Sequence, residues 1–161
     1  MPTVVEQQYR PDEPARDAAL STDATTRVPD AEPPIIYFDG ICGLCSRAVD
    51  FVIRRDHRRQ FRFAPLQGET ARRQLNIQPG ETLTTIILTD ECGRYVQSDA
   101  VWRVLDRLGG RWRLAGGCLR LVPVPLRNVA YRYIANRRYR WFGKRTACRL
   151  PTSAEREQFL P

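Results

Sequence analysis

The sequence predicts an α/β domain with the element order β-α-β-α-β-β-α and a C-terminal helical extension. Three observations carry that prediction. The run IIYFD at 35–39 is apolar, β-branched and aromatic, and ends in an Asp-Gly turn signal. Directly afterwards the apolar residues change to a four-residue period, which belongs to a helix. Further on, the strand-like TLTTIILTD (82–90) and the shorter YVQS flank the turn residues ECGR, the form of a β-hairpin.

The other elements follow in order. Leu44, Ala48, Val52 and Cys45, Val49, Ile53 place a helix at about 43–55, with Arg47, Asp50 and Arg54 on its polar side. FRFAPL (61–66) alternates and stops at Ala64 or Pro65, so it reads as the second strand. GETARRQLNI is a short helix, followed by a Pro79-Gly80 turn. Ser98 is placed to cap a helix through Val101, Trp102, Leu105 and Leu108 that ends at Gly109-Gly110. Beyond Pro123 and Pro125, a helix at 125–140 puts Leu126, Val129, Ala130, Tyr133 and Ile134 on one side, expected to face the core.

A chain of 161 residues accommodates one ordinary domain. Residues 1–32 set three arginines against seven carboxylates, show no period of 2 or 3.6, and read as a disordered acidic arm. The domain is expected to occupy 33–151, with 152–161 a tail. The formal net charge is +8, and 25 of the 26 basic residues are arginine, a choice that codon bias alone can produce. No apolar stretch approaches the ~20 residues of a membrane span, and no secretory signal pattern opens the chain. A cytoplasmic location follows as the expectation, and there a structural disulfide among the five cysteines would not persist.

A close cysteine pair in that setting needs a chemical reason. Cys42 and Cys45, in YFDGICGLC, stand where the first strand turns into the first helix. In the first helical turn the amide N–H groups lack carbonyl partners and the peptide dipoles place partial positive charge. In such settings the pKa of a thiol can fall from about 8.5 to about 3.5–7.5, and the thiolate is the nucleophile. Cys42 is therefore the expected attacking thiolate. Cys45, one turn later on the same face, can resolve the mixed disulfide. Gly43 lets the chain turn tightly and is expected to leave Cys42 open to a bulky partner. Asp39, the nearest acid, either relays a proton or simply forms the Asp-Gly turn.

Two other readings of the pair remain. A zinc site would need two further ligands, and Cys92, Cys118, Cys148 and His57 are each isolated in the sequence. Two inert core thiols would sit inside an apolar run, whereas Cys42 adjoins glycines. A C-x-x-C beside a βαβ pattern points instead to a thioredoxin-like redox motif.

With these residues in view, the chain resembles the DCC family of thiol-disulfide oxidoreductases, named for an Asp, Cys, Cys signature that is here Asp39, Cys42 and Cys45. The likeness continues through FRFAPLQ, through TTIILTDECGRYVQSDAVWRVLDRLGG and through NRRYRWFGKRTACRLP, and covers about 35–151. The resemblance implies a thioredoxin-like fold with an added helical segment. With the motif, it implies dithiol–disulfide exchange with a disulfide-bearing protein or a small thiol and an unidentified electron donor; no cofactor or metal is expected, and the alternative is a non-catalytic binding module, either clipped by zinc through the pair or binding an anionic partner through the basic C-terminal helix. Familiar thioredoxins carry proline where this chain has Leu44, and a further proline ahead of the third strand that ETLTTIIL lacks.

The segment 127–145 interleaves arginines with aromatic residues. RNA or an acidic membrane surface would suit it. The plainer reading is an amphipathic helix packed on its own sheet with a solvated basic face, so no nucleic-acid partner and at most a peripheral membrane contact are expected. His57 and Cys92 read as exposed bystanders, Cys118 and Cys148 as small packing residues, and Trp102, Trp112 and Trp141 as core or rim residues.

Overall fold

The computed structural model describes residues 33–77, 85–144 and 151–161. The acidic arm, the Pro79-Gly80 turn, the beginning of the 82–90 strand and Cys148 lie outside the described residues. The described chain is a mixed α/β structure in which a four-stranded sheet is followed by a helical extension.

Strand β1 (Ile35–Phe38) is central and wholly buried. Helix α1 (Gly43–Ile53) leads to β2 (Arg62–Pro65), which pairs parallel to β1 with Ile36 opposite Phe63. Helix α2 (Glu69–Leu75) follows, then β3 (Ile87–Asp90), antiparallel to β1, and β4 (Gly93–Val96), antiparallel to β3. The strand order is β2-β1-β3-β4. Side chains alternate across β1. Ile36 and Phe38 join Val49, Val52, Phe61, Phe63, Leu88, Ala100 and Val104 in the main core. Tyr37, between them, donates its hydroxyl to Gln74 of α2. Each large apolar side chain buried this way contributes roughly 1.5–3 kcal/mol.

Helix α3 (Gln97–Leu108) begins one residue before Ser98 and has no side-chain cap. Ser98 is buried, and its hydroxyl donates to Asn128 instead. Helix α4 (Gly110–Leu121) is absent from the sequence reading. Its glycines lower helix propensity, and what holds it is close packing on α3: a Cβ at Gly116 would lie 2.8 Å from the Trp102 carbonyl oxygen.

Helix α5 (Val124–Phe142) contradicts the expected rotation. Leu126, Val129, Tyr133 and Ile134 face water, while Arg127 and Arg138 are buried. Two ion pairs explain this. Arg127 pairs with Asp99 of α3, and Arg138 pairs with Asp39 at the end of β1. Three turns separate the two arginines at about 3.6 residues per turn, so both point to the same side. Between them Tyr131 accepts a hydrogen bond from the Ile86 amide at 3.0 Å.

Residues 152–161 lie against β2. The Leu160 amide donates to the Phe63 carbonyl at 2.8 Å, and Phe159 packs on Phe63 and Phe38 with ring centroids 5.4 and 6.3 Å apart. Gln158 is buried and donates to the Phe61 carbonyl at 3.2 Å. Truncation after Pro151 is therefore expected to cost about 3–5 kcal/mol, the range for deleting a packed aromatic side chain. Urea denaturation measures it, and an unchanged midpoint would mean that these residues do not stabilise the core.

Candidate active site

The site forms where β1 ends. The Asp39 carbonyl accepts from the Cys42 amide at 3.2 Å, closing a tight turn, and Asp39 Oδ1 accepts from the Ile41 amide at 3.2 Å. The turn delivers Cys42 in an extended conformation to the N-cap of α1, where its Sγ accepts from the Cys45 amide at 3.4 Å. That amide belongs to the unpaired first turn of the helix. As the sequence led us to expect, Cys42 and Cys45 lie one turn apart at a helix N-terminus; both are free thiols.

The expectation for access does not hold. Cys42 is 0 % exposed, and Cys45 is the more open of the two. The last residue of α5 and the two that follow it close over Cys42. The Gly43 amide donates to the Gly143 carbonyl at 3.3 Å, and Cys42 forms an antiparallel bridge with Lys144. A Cβ on residue 43 would sit 2.2 Å from the Phe142 carbonyl oxygen. Gly43 therefore admits the close approach of another chain segment rather than leaving Cys42 open.

Asp39 is 2 % exposed and accepts four side-chain or backbone donors. Besides Ile41, Oδ1 accepts from Gln67 Nε2 at 3.0 Å, while Gln67 Oε1 takes the Gly40 amide at 3.1 Å. Oδ2 accepts from Arg138 Nη2 at 3.0 Å and from the Tyr139 hydroxyl. A carboxylate offers about four acceptor positions, so Asp39 is saturated as an anion. Of its two expected roles, the geometry displays the turn and adds an anchorage for α5.

Burial, followed by the hydrogen bond and the charge of Cys42, pushes the Cys45 thiol up to about 12, with the Arg138 charge acting in the opposite direction. Burial disfavours the Arg138 cation, but its hydrogen bond to Tyr139 and the charges of Tyr139, Cys45 and Cys42 outweigh that and hold it above the usual arginine value. Burial and the Asp39 hydrogen bond raise Tyr139, and burial raises Tyr131.

Four residues of this site escape the sequence reading: Gln67, Tyr131, Arg138 and Tyr139. Gln67 ends the quoted FRFAPLQ run, and the other three sit in a helix whose basic residues read as solvated. His57 is exposed, as expected, and so is Cys92. Cys118, expected to pack, is exposed on α4. Among the described residues, no group of three or more His, Cys, Asp or Glu side chains is placed to hold a metal ion.

The profile of the DCC1-like thiol-disulfide oxidoreductases matches residues 36–144. The chain belongs to that family. The matched span of this DCC1-like protein contains Asp39, the cysteine pair, Gln67 and Arg138, and it ends at the Lys144 that bridges to Cys42. Among its relatives, the uncharacterized protein YuxK of Bacillus subtilis is 36 % identical over 129 residues, 79 % of this chain and 93 % of that protein. A chloroplastic DCC family protein of Arabidopsis thaliana is 31 % identical over 120 residues, 73 % of this chain and 69 % of that one. No solved structure gives a significant match.

Two outcomes follow from the geometry. Arg138→Met strands the Asp39 carboxylate in the interior, and the expected destabilisation in urea is about 3–5 kcal/mol; a loss below 1 kcal/mol would show that the pair is not buried in solution. The second concerns pH. A thiol held above its ordinary value of 9.0 keeps a proton that the unfolded chain gives up, so its stabilising contribution is full below pH 9 and declines as pH rises toward 12. The buried tyrosines act in the same direction from their ordinary value of 10.0 upward. Unfolding midpoints of the reduced protein should therefore fall from pH 9, and those of Cys45→Ser only from pH 10. Equal slopes for both proteins between pH 9 and 10 would disprove the assignment.

Proposed function

We propose that the protein catalyses dithiol–disulfide exchange through Cys42 and Cys45, on a protein or small-molecule disulfide, with a separate thiol donor restoring the reduced pair. The observation that carries this reading is the Cys42 sulfur at the N-cap of α1, accepting the Cys45 amide beside a buried Arg138. The order β-α-β-α-β-β-α, with strands arranged β2-β1-β3-β4, supports a thioredoxin-like frame for that chemistry. The family's name supplies the reaction class.

The steps use this chain's own residues. The Cys42 thiolate attacks one sulfur of the substrate disulfide, forming a mixed disulfide and releasing the other sulfur as a thiolate. Bonding removes the Cys42 charge and its hydrogen bond with Cys45, two of the three leading causes that hold the Cys45 proton in place, while the Arg138 charge that favours a Cys45 thiolate remains. Cys45 then yields its proton to the departing thiolate and attacks Cys42 Sγ. The second substrate sulfur leaves, the Cys42–Cys45 disulfide forms, and two electrons have passed to the substrate. The donor dithiol reverses the last bond.

Chemistry and access pull in opposite directions. Cys45 is the more exposed thiol, but its proton is held tightly, and the thiolate is the reacting species. Attack is therefore assigned to Cys42, with Phe142–Lys144 moving aside to admit the substrate. Asp39 acts as a positioning residue that fixes Arg138 beside the pair, in place of the proton relay also considered from sequence.

The test is equilibration of the full chain in glutathione redox buffers with intact mass reporting the disulfide. A reversible two-electron transition that Cys42→Ser abolishes is the expected result. Absence of a transition in metal-free protein would sink the reading.

A further inference from the structure

Helix α5 is locked with its apolar stripe outward. Leu126, Val129, Tyr133, Ile134 and Trp141 lie on an outward arc of the helix, next to the edge that carries Arg127 and Arg138, and they are 62 %, 56 %, 52 %, 44 % and 52 % exposed. Leu121, at the end of α4, is likewise exposed, at 85 %. The two buried ion pairs prevent α5 from rolling over to cover it. Large apolar residues exposed together with arginines on one helix mark a candidate interaction surface.

The charge on the same stretch selects the partner. From Gly110 to Lys144 there are nine Arg and Lys residues and no Asp or Glu. Arg137 lies over the Tyr133 ring, 3.9 Å from its centroid, and Trp141 stands edge-on to the same ring at 6.0 Å. A second copy would meet this face through the same patch, cations against cations. Nucleic acid would satisfy the cations but give Leu121, Leu126, Val129 and Ile134 nothing to contact. An anionic bilayer suits both. Aliphatic side chains enter the acyl boundary, Trp and Tyr sit at headgroup level, and arginines reach lipid phosphates with their stems along the apolar surface. No described helix is long and apolar enough to cross a membrane, which fits a helix lying in the interface plane.

We propose that the α4–α5 face docks this protein on an anionic lipid membrane. Because the chain after α5 bridges to Cys42, docking brings the cysteine pair close to the lipid surface and to substrates held there.

Flotation of the full chain with vesicles tests this, using phosphatidylcholine alone and phosphatidylcholine mixed with phosphatidylglycerol. Binding to the mixed vesicles only, weakening with salt, is expected. Leu126→Asp with Ile134→Asp should cut it by about tenfold or more while leaving disulfide exchange in solution and the circular dichroism unchanged. If that pair disturbs folding, Leu126→Gln with Val129→Thr gives the same comparison. Failure to float with the mixed vesicles, or flotation that these variants retain, would overturn the proposal. So would a dimer that the variants dissociate in the absence of flotation, which assigns the face to a second copy. RNA binding that survives them, again without flotation, would assign the cations to nucleic acid.

Discussion

The ion pair between Asp39 and Arg138 is the constraint on which the rest of the arrangement depends. Their side chains are 2 % and 5 % exposed respectively and lie 99 positions apart in sequence, so the pair joins the end of the central strand to the last turns of the final long helix. Buried charges are tolerated only when paired and hydrogen-bonded, and here Gln67, Tyr139 and the Ile41 amide complete the shell around the carboxylate. Displacing α5 would strand a charge on each side. The pair thus specifies position more than it adds net stability, since two well-packed apolar residues could be equally stable.

The rotation of α5 follows from this. Once Arg138 and Arg127 must point inward, the residues between them have no choice of face, and the apolar stripe turns to solvent. The same rotation places Tyr131 against Thr85 and Ile86, where its hydroxyl satisfies the Ile86 amide just before β3. It also carries the Phe142 carbonyl to the only kind of residue that can meet it, the glycine between Ile41-Cys42 and Leu44-Cys45. The end of this helix therefore closes over Cys42, and its Arg138 acts on the Cys45 thiol.

Most of the sheet was legible because it obeys local rules. IIYF, RFAP and the hairpin turn at Glu91-Cys92 have strand and turn composition, and α1 shows its helical period directly. The cysteine pair was legible because its chemistry comes from a strand, a turn and a helix start that are consecutive in sequence. Helix α4 was not, since GRWRLAGGCLRL has weak propensity and is held by contact with α3. The rotation of α5 was misread for a different reason. Periodicity locates an apolar face but assumes that it is the buried one, and the acids that override the assumption, Asp39 and Asp99, lie in distant elements. Gln67 illustrates the same limit: a polar residue at a strand end carries no local sign that it will clamp a turn 27 residues away.

A single cation now stands between two anionic demands. Arg138 is held by the Asp39 carboxylate, yet its charge also acts on both sulfurs. In the proposed exchange, a negative Cys42 sulfur would share Arg138 with Asp39 and would sit at the N-terminus of α1. Disulfide formation removes that extra charge and leaves the Asp39–Arg138 pair neutral. In the proposed exchange the redox poise would depend on the charges around the two sulfurs, which the Cys-Gly-Leu-Cys spacing alone does not contain.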